Sequence, residues 1–273
     1  MSYDVVIDSQ KRSSNYWKDI WKYRGLFYFL SWRDVLVRYK QTVIGLAWSI
    51  LRPLMTMIVF TVVFGKIAAL PAGGVPYILL VSAGMLPWQF FANAFSEASN
   101  SLISNSNMLS KVYFPRIIIP SSAIIVSLVD FLISFIILIG IMIWYQFVPT
   151  ASILFLPLFI LQAIIVSAGS GCLIAALNVK YRDFRYIVPF IVQFGLYISP
   201  VGFSSSVVPA KYQLLFSLNP KTGVIDGYRW SLLGGQRVFT NSGYFISLAV
   251  SVLIFLTGIW YFRKMEKDFA DII

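Results

Sequence analysis

The chain has 273 residues, of which 58% are hydrophobic and only 12% charged. A soluble domain of this size carries about 25% charged residues and has no core large enough to hide so much apolar surface. That excludes a soluble enzyme or binding module and leaves an all-α integral membrane protein. Net charge is +11 with no histidine, but the basic residues sit in the gaps between apolar runs, which assigns them to membrane topology rather than to nucleic acid.

In chain order, residues 1–14 are polar and read as a flexible N-terminus without the features of a cleavable signal. Residues 15–45 read as cytoplasmic interfacial or gating helices. Trp17 and Trp21 alternate with Lys18 and Lys22, a mixture suited to the headgroup zone, and Gly25 is expected to break this first helix. In the second, Phe29, Trp32, Leu36, Tyr39 and Val43 recur at spacings of three and four and form an apolar stripe. Asp34, Arg38 and Gln41 lie on the opposite face. Arg33 and Lys40 stand at the border, where their long side chains reach toward phosphates. This pair of helices is either a plain anchor or an element that meets a lipid headgroup or gates a pore mouth.

Six apolar runs approach the ~20 residues that cross a ~30 Å hydrocarbon core: Pro53–Leu70, Tyr77–Phe95, Ile117–Tyr145, Ile153–Leu177, Ile187–Val201 and Tyr244–Phe262. Pro87 is expected to kink the second. With six spans, seventeen of the 22 Lys and Arg residues fall on one side, which predicts both termini to be cytoplasmic. The stretch VRYKQTVIGLAWSILRPL, Val37 to Leu54, then places Arg38, Lys40 and Arg52 at the cytoplasmic mouth of the first span.

Asp130 is the one acidic residue deep within a predicted span. Such a group is either functional or held by a structural hydrogen bond to Ser or Thr of a neighbouring helix. In the fourth span, Ser167, Gly171 and Ala175 form one small-residue stripe and Ala168, Cys172 and Ala176 another, both fit for close helix packing. Cys172 is the single cysteine, so no disulfide framework exists. Between Pro200 and Gly243, the pieces KYQLLFSL and VIDGYRWSLLGG have the length of external re-entrant helices before the last span. The chain has no G-x-x-x-x-G-K-[ST], no metal-ligand spacing and no paired carboxylates or Ser-His-Asp set, so it carries no ATP, metal or hydrolytic site of its own.

Several blocks together resemble one family. WRDVLVRYKQTVIGLAWSILRPL from Trp32, MLPWQFFANAFSEASNSLISNSNMLSKVYFPR, LNVKYRDFRYIVPF, SPVGF, LNPKTGVIDGYRWSLLGG and YFRKMEKDFADII occur in the order found in ABC-2-type transporter permeases of the polysaccharide exporters. The resemblance covers residue 31 to the C-terminus and makes 46–273 an ABC-2-type transmembrane domain. It implies a homodimer of six-helix subunits joined to two copies of a separate ATPase, which binds ATP and Mg. The cargo it implies is a polyprenyl-pyrophosphate-linked polysaccharide: O-antigen first, with capsular polysaccharide or teichoic acid as alternatives and a drug or lipid exporter of the same superfamily as a further one.

On matching positions, the translocation path is expected at Trp48, Phe60, Phe194, Tyr197 and Phe203, where rings stack on sugars without gripping one orientation. The lipid pyrophosphate is expected to be received by Arg33, Arg38, Lys40 and Arg52, whose forks and charges suit phosphate oxygens. ATPase coupling is expected in the loop after the second span, at Ser101, Leu102, Asn105, Asn107 and Lys111. A membrane glycosyltransferase or ligase and a passive channel are the rival functions.

Overall fold

The computed structural model describes residues 16–40, 43–109, 111–235 and 238–269, with backbone alone at 43–49 and at Arg52. The flexible N-terminus read at 1–14 lies outside the described residues. Every regular element described is helical. In order these are α1 (Tyr16–Lys22), α2 (Arg24–Lys40), α3 (Val43–Phe60), α4 (Tyr77–Ser104), α5 (Ser106–Leu109), α6 (Ile118–Trp144), α7 (Leu156–Lys180), α8 (Phe184–Ile198), α9 (Ala210–Ser217), α10 (Pro220–Leu233) and α11 (Ser242–Met265). A π-helical turn, Thr61–Ile67, extends α3, and a 3-10 turn, Ala151–Phe155, leads into α7.

Among the described residues four segments are long and apolar enough to cross a membrane: α4, α6, α7 with its leading turn, and α11. Pro53–Ile67 and Phe184–Ile198 are apolar but shorter. The first two N-terminal helices part at Tyr23, before Gly25, which sits in the first turn of α2. The second predicted span runs on to Ser104, unbroken by Pro87, so part of the expected coupling loop is helix.

Helix α4 is the centre of the bundle. Of its most apolar stretch 78% is buried, against 22–33% for the other three long segments. It packs against α6, α7, α10 and α8, while α7 packs against α11. One end of the bundle, here the basal end, gathers α1, the α4–α6 link, the α7–α8 link and the C-terminus of α11. The opposite hairpin end gathers the α3–α4 link, the α6–α7 link and the α9–α10 hairpin. The core has two parts to match: a large cluster around α4, α6, α7 and α10, and a basal one joining Leu30 of α2 to Leu102, Phe114, Ile118, Cys172 and Phe262.

Small residues permit the tightest crossing. A Cβ added at Gly258 of α11 would lie 2.0 Å from the Gly169 carbonyl oxygen of α7. Gly171, in one of the predicted stripes, instead faces Ala98 of α4 at 2.7 Å. The Gly169–Gly258 crossing belongs to neither predicted stripe.

Helix α10 has strong local signals. Asn219 caps it by accepting from the Lys221 backbone N–H at 3.0 Å, Pro220 stands in the first turn, and Gly234 ends it at φ 75°. Each residue type is suited to its place. The helix buries Val224, Ile225, Tyr228 and Leu232 in the large cluster.

Candidate functional site

Arg33 and Arg38 of α2 turn toward the bundle with Tyr39 of the expected apolar stripe, while Phe29, Trp32 and Leu36 of that stripe turn away. Phe29, Trp32, Leu36 and Val37 are exposed, whereas Leu30 and Ser31 are buried. Arg33 donates to Asp34 of its own helix at 2.8 Å and to Asn105, just past the end of α4, at 3.1 Å. Arg38 reaches two other helices at once: Nη1 donates to Asp130 Oδ2 on α6 and Nη2 to Glu97 Oε1 on α4, each at 2.8 Å. The Tyr39 hydroxyl donates to the other oxygen of Asp130. Burial, and then the neighbouring Asp130 carboxylate, push that phenol above its ordinary range. The expected Ser or Thr partner of Asp130 is thus replaced by a cation and a phenol from the N-terminal helix. Ser134 bonds only to the Asp130 backbone carbonyl. Lys40 is exposed. Arg52 lies among the side chains not described.

The basal surface divides the five residues of the expected coupling region. Ser101 and Leu102 are buried beneath neighbouring elements. Asn105 receives Arg33 and closes the helix end by donating to the Ser101 carbonyl at 2.9 Å. Only Asn107 and Lys111 are exposed. Beside them, Glu266 at the end of α11 accepts from the Tyr16 hydroxyl at 2.8 Å and from the Arg116 backbone N–H at 2.7 Å. Arg263 lies over the Tyr16 ring at 4.5 Å. This clasp joins α1, the α5–α6 link and α11. Burial raises the Glu266 carboxyl above its usual range, against the lowering effect of Tyr16 and Arg116.

Helix α8 has an aliphatic side and an aromatic side. Val188 is buried and Gly195 meets the Trp88 ring of α4, where a Cβ would approach to 2.6 Å. Tyr186, Phe190, Phe194 and Tyr197 follow at intervals of four, four and three, and all are exposed. They form a ladder along the helix, with Phe190 and Phe194 stacked at 5.6 Å and 6°. The expected path residues Phe194 and Tyr197 belong to this ladder.

Phe60 and Phe203 lie at the hairpin end, apart from it. Phe60 meets Phe64 with the rings tilted at 43°, and the Phe64 ring closes over Gly202; Phe203 meets Phe216 of α9. Trp48 lies outside the described side chains. The segment between α8 and α9 is fixed by three consecutive backbone carbonyls. Arg229 of α10 donates to Val201 and Phe203, each at 2.7 Å, and the Tyr77 hydroxyl donates to Gly202 at 2.6 Å. The same guanidinium also holds the Leu80 carbonyl of α4 at 3.0 Å. In the first turn of α10, Lys221 is buried with its Nζ 3.0 Å from the centre of the Phe91 ring.

Among the described residues no group of three or more His, Cys, Asp or Glu could hold a metal. Glu97, Tyr39, Glu266 and Arg229 were not singled out as site residues by the sequence. Their signal in the sequence is weak, because each meets a partner on another helix, 59 to 250 residues away along the chain.

The sequence profile of the ABC-2 type transporter family matches residues 25–233. The chain is similar to an "O-antigen export system permease protein RfbA" of Klebsiella pneumoniae, 27% identical over 88% of this chain and 92% of that protein. It is also similar to one of the same name from Myxococcus xanthus, 24% identical over 94% and 98%. A more distant relative is "Inner membrane transport permease YadH" of Escherichia coli, 22% identical over 68% and 76%. With that match running from α2 to the end of α10 across an apolar helical bundle, the chain belongs to the ABC-2 type transporter family of membrane permeases.

Proposed function

We propose that the chain is the transmembrane subunit of an exporter that moves a lipid-linked polysaccharide, O-antigen first among the candidates, across the bacterial inner membrane. The observation that carries this reading is similarity to permeases named for O-antigen export along nearly the whole length of both partners. Two copies of the chain flank the path and two separate ATPase subunits, which bind ATP and Mg, drive it. The four long helices and the two shorter apolar ones make six crossings. The basal end, with its excess of Lys and Arg, faces the cytoplasm together with both termini.

In this arrangement the exposed ladder of α8 faces the second copy and lines the lumen. Aromatic faces stack on the C–H faces of sugars and leave hydroxyls to water, so a polymer slides past without one preferred register. Trp48 of α3 is assigned to the same path. Phe60 and Phe203 stand at the exit, where the α9–α10 hairpin dips back from the external side. The lipid diphosphate arrives at the basal doorway of Arg33, Arg38, Lys40 and Arg52. Asn107 and Lys111 contact the ATPase directly, while Ser101, Leu102 and Asn105 transmit its motion to α4 and α2.

The test is a deletion strain. Lipid-linked polymer is expected to accumulate inside the cell and disappear from the surface, with wild-type chain restoring export and tolerance to drugs unchanged. Chemical analysis of the trapped polymer distinguishes O-antigen from capsule or teichoic acid. Normal surface polymer together with drug sensitivity would instead assign a small-molecule cargo.

A further inference from the structure

Arg38 binds each of its two carboxylates through a single N–H···O bond. A guanidinium has five donors in a planar fork and satisfies phosphate best with two parallel bonds, so neither carboxylate uses the fork fully. The two partners also differ in access. The Glu97 side chain is 50% exposed and that of Asp130 only 16%, with Arg38 between them at 34%. Asp130 has a second donor from the same helix, the Tyr39 hydroxyl, whereas among the described residues Arg38 is the one donor to Glu97.

We propose that the Arg38–Glu97 bond is a latch that a lipid-borne diphosphate undoes. The incoming phosphate oxygens take the open edge of the fork, Glu97 is released to water, and the C-terminal end of α2 lets go of α4. The Asp130 bond is kept, because the Tyr39 and Arg38 donors converge on a carboxylate that has little access to solvent. Helix α2 therefore turns about α6 instead of leaving the bundle. The apolar stripe of Phe29, Trp32 and Leu36 already faces away from the protein, and Leu30, buried in the basal core, stays in place while the C-terminal end of the helix moves. Cargo arrival at the doorway is in this way communicated to α4, whose basal end continues into the α5 link. This inference rests on the doorway reading given above, and adds that the free protein holds its doorway shut by its own carboxylate.

The experiment uses full-length protein in phosphatidylcholine vesicles, with spin labels at Val37 and Ser104 (α2 to α4) or at Val37 and Leu132 (α2 to α6). Adding polyprenyl diphosphate should lengthen the first distance and leave the second unchanged. Glu97→Gln should show the longer first distance without ligand, and should lower the half-saturating ligand concentration about tenfold, the usual scale of such coupling. A purely structural role for Glu97 would instead leave binding unchanged or weaken it. If diphosphate binds to wild-type protein with both distances fixed, the latch is wrong and the doorway reading stands. Absence of binding removes both. If phosphatidylglycerol lengthens the first distance as far as the diphosphate does, the assignment to diphosphate is overturned.

Discussion

The crossing of α7 and α11 gives the sharpest test of the packing. A Cβ at Gly258 would meet the carbonyl oxygen, carbonyl carbon and Cα of Gly169 at 2.0, 2.7 and 3.0 Å. All three are backbone atoms, so no side chain can rotate out of the way. Ordinary contact begins at 3.4 Å, so Gly258→Ala must push the helices apart by about 1.4 Å. Overpacking of this kind costs about 1–3 kcal/mol. Separation also strains the Gln162–Ser251 bond between the same two helices, 3.2 Å long, and an interhelical bond in a membrane protein is worth about 0.6 kcal/mol. The sum is about 2–4 kcal/mol, or a factor of about 30–700 in the folded-to-unfolded ratio. Titration of purified protein with SDS in mixed micelles, followed by tryptophan fluorescence, measures it. Gly140→Ala is the control: a Cβ there meets nothing within 4 Å, and helix propensity favours alanine by up to about 1 kcal/mol. A Gly258→Ala protein as stable as wild type, or as Gly140→Ala, would refute the close crossing.

Three further outcomes are expected. Arg229→Met leaves the carbonyls of Leu80, Val201 and Phe203 without their donor and should cost about 3 kcal/mol or more at about 1–3 kcal/mol for each buried orphan group, with faster proteolysis between residues 200 and 209. Replacing Phe190, Phe194 and Tyr197 together by alanine should change unfolding by no more than about 0.5 kcal/mol per site, as for exposed positions, while polymer export measured in cells falls sharply. Because burial raises the Glu266 carboxyl, the native state holds this proton more tightly than the unfolded chain. The Glu266 contribution is complete below the ordinary carboxyl value of 4.5 and declines as pH rises through the raised native value; Glu266→Gln should flatten that part of the stability curve.

Hydropathy located the apolar helices well where a span is uniform, as at α6, whose observed limits lie within one residue of the expected ones. It located them less well where a polar sequence remains helical, as in the Ser- and Asn-rich end of α4, because buried neighbours there outweigh weak propensity. Charge counting left Lys221 and Arg229 among the five basic residues of the external side, yet both are buried in the bundle. A count of basic residues has no means of seeing a ring face or a set of backbone carbonyls as partners. The Arg38–Asp130 pair joins residues 92 apart, and only the packing of α2 on α6 reveals it. The aromatic ladder of α8 could be read as a periodicity, but which side of the helix is turned outward follows from Gly195 against Trp88. Gly169 escaped notice because small residues surround it on every side of α7.

The inside-out character of α2 bears on how the protein is made. The partners of Arg38, Glu97 and Asp130, lie 59 and 92 residues further along the chain, and Asn105, the partner of Arg33 on the bundle, lies 72 residues on. At about 5–20 residues per second, the ribosome needs roughly 5–20 seconds after making Arg38 to supply Asp130. During that interval the segment can rest on the bilayer surface by its aromatic side with its polar groups in water, and it docks once α6 has been inserted. A helix near the start of the chain thus reaches its native position only after α3, α4 and α6 have been made.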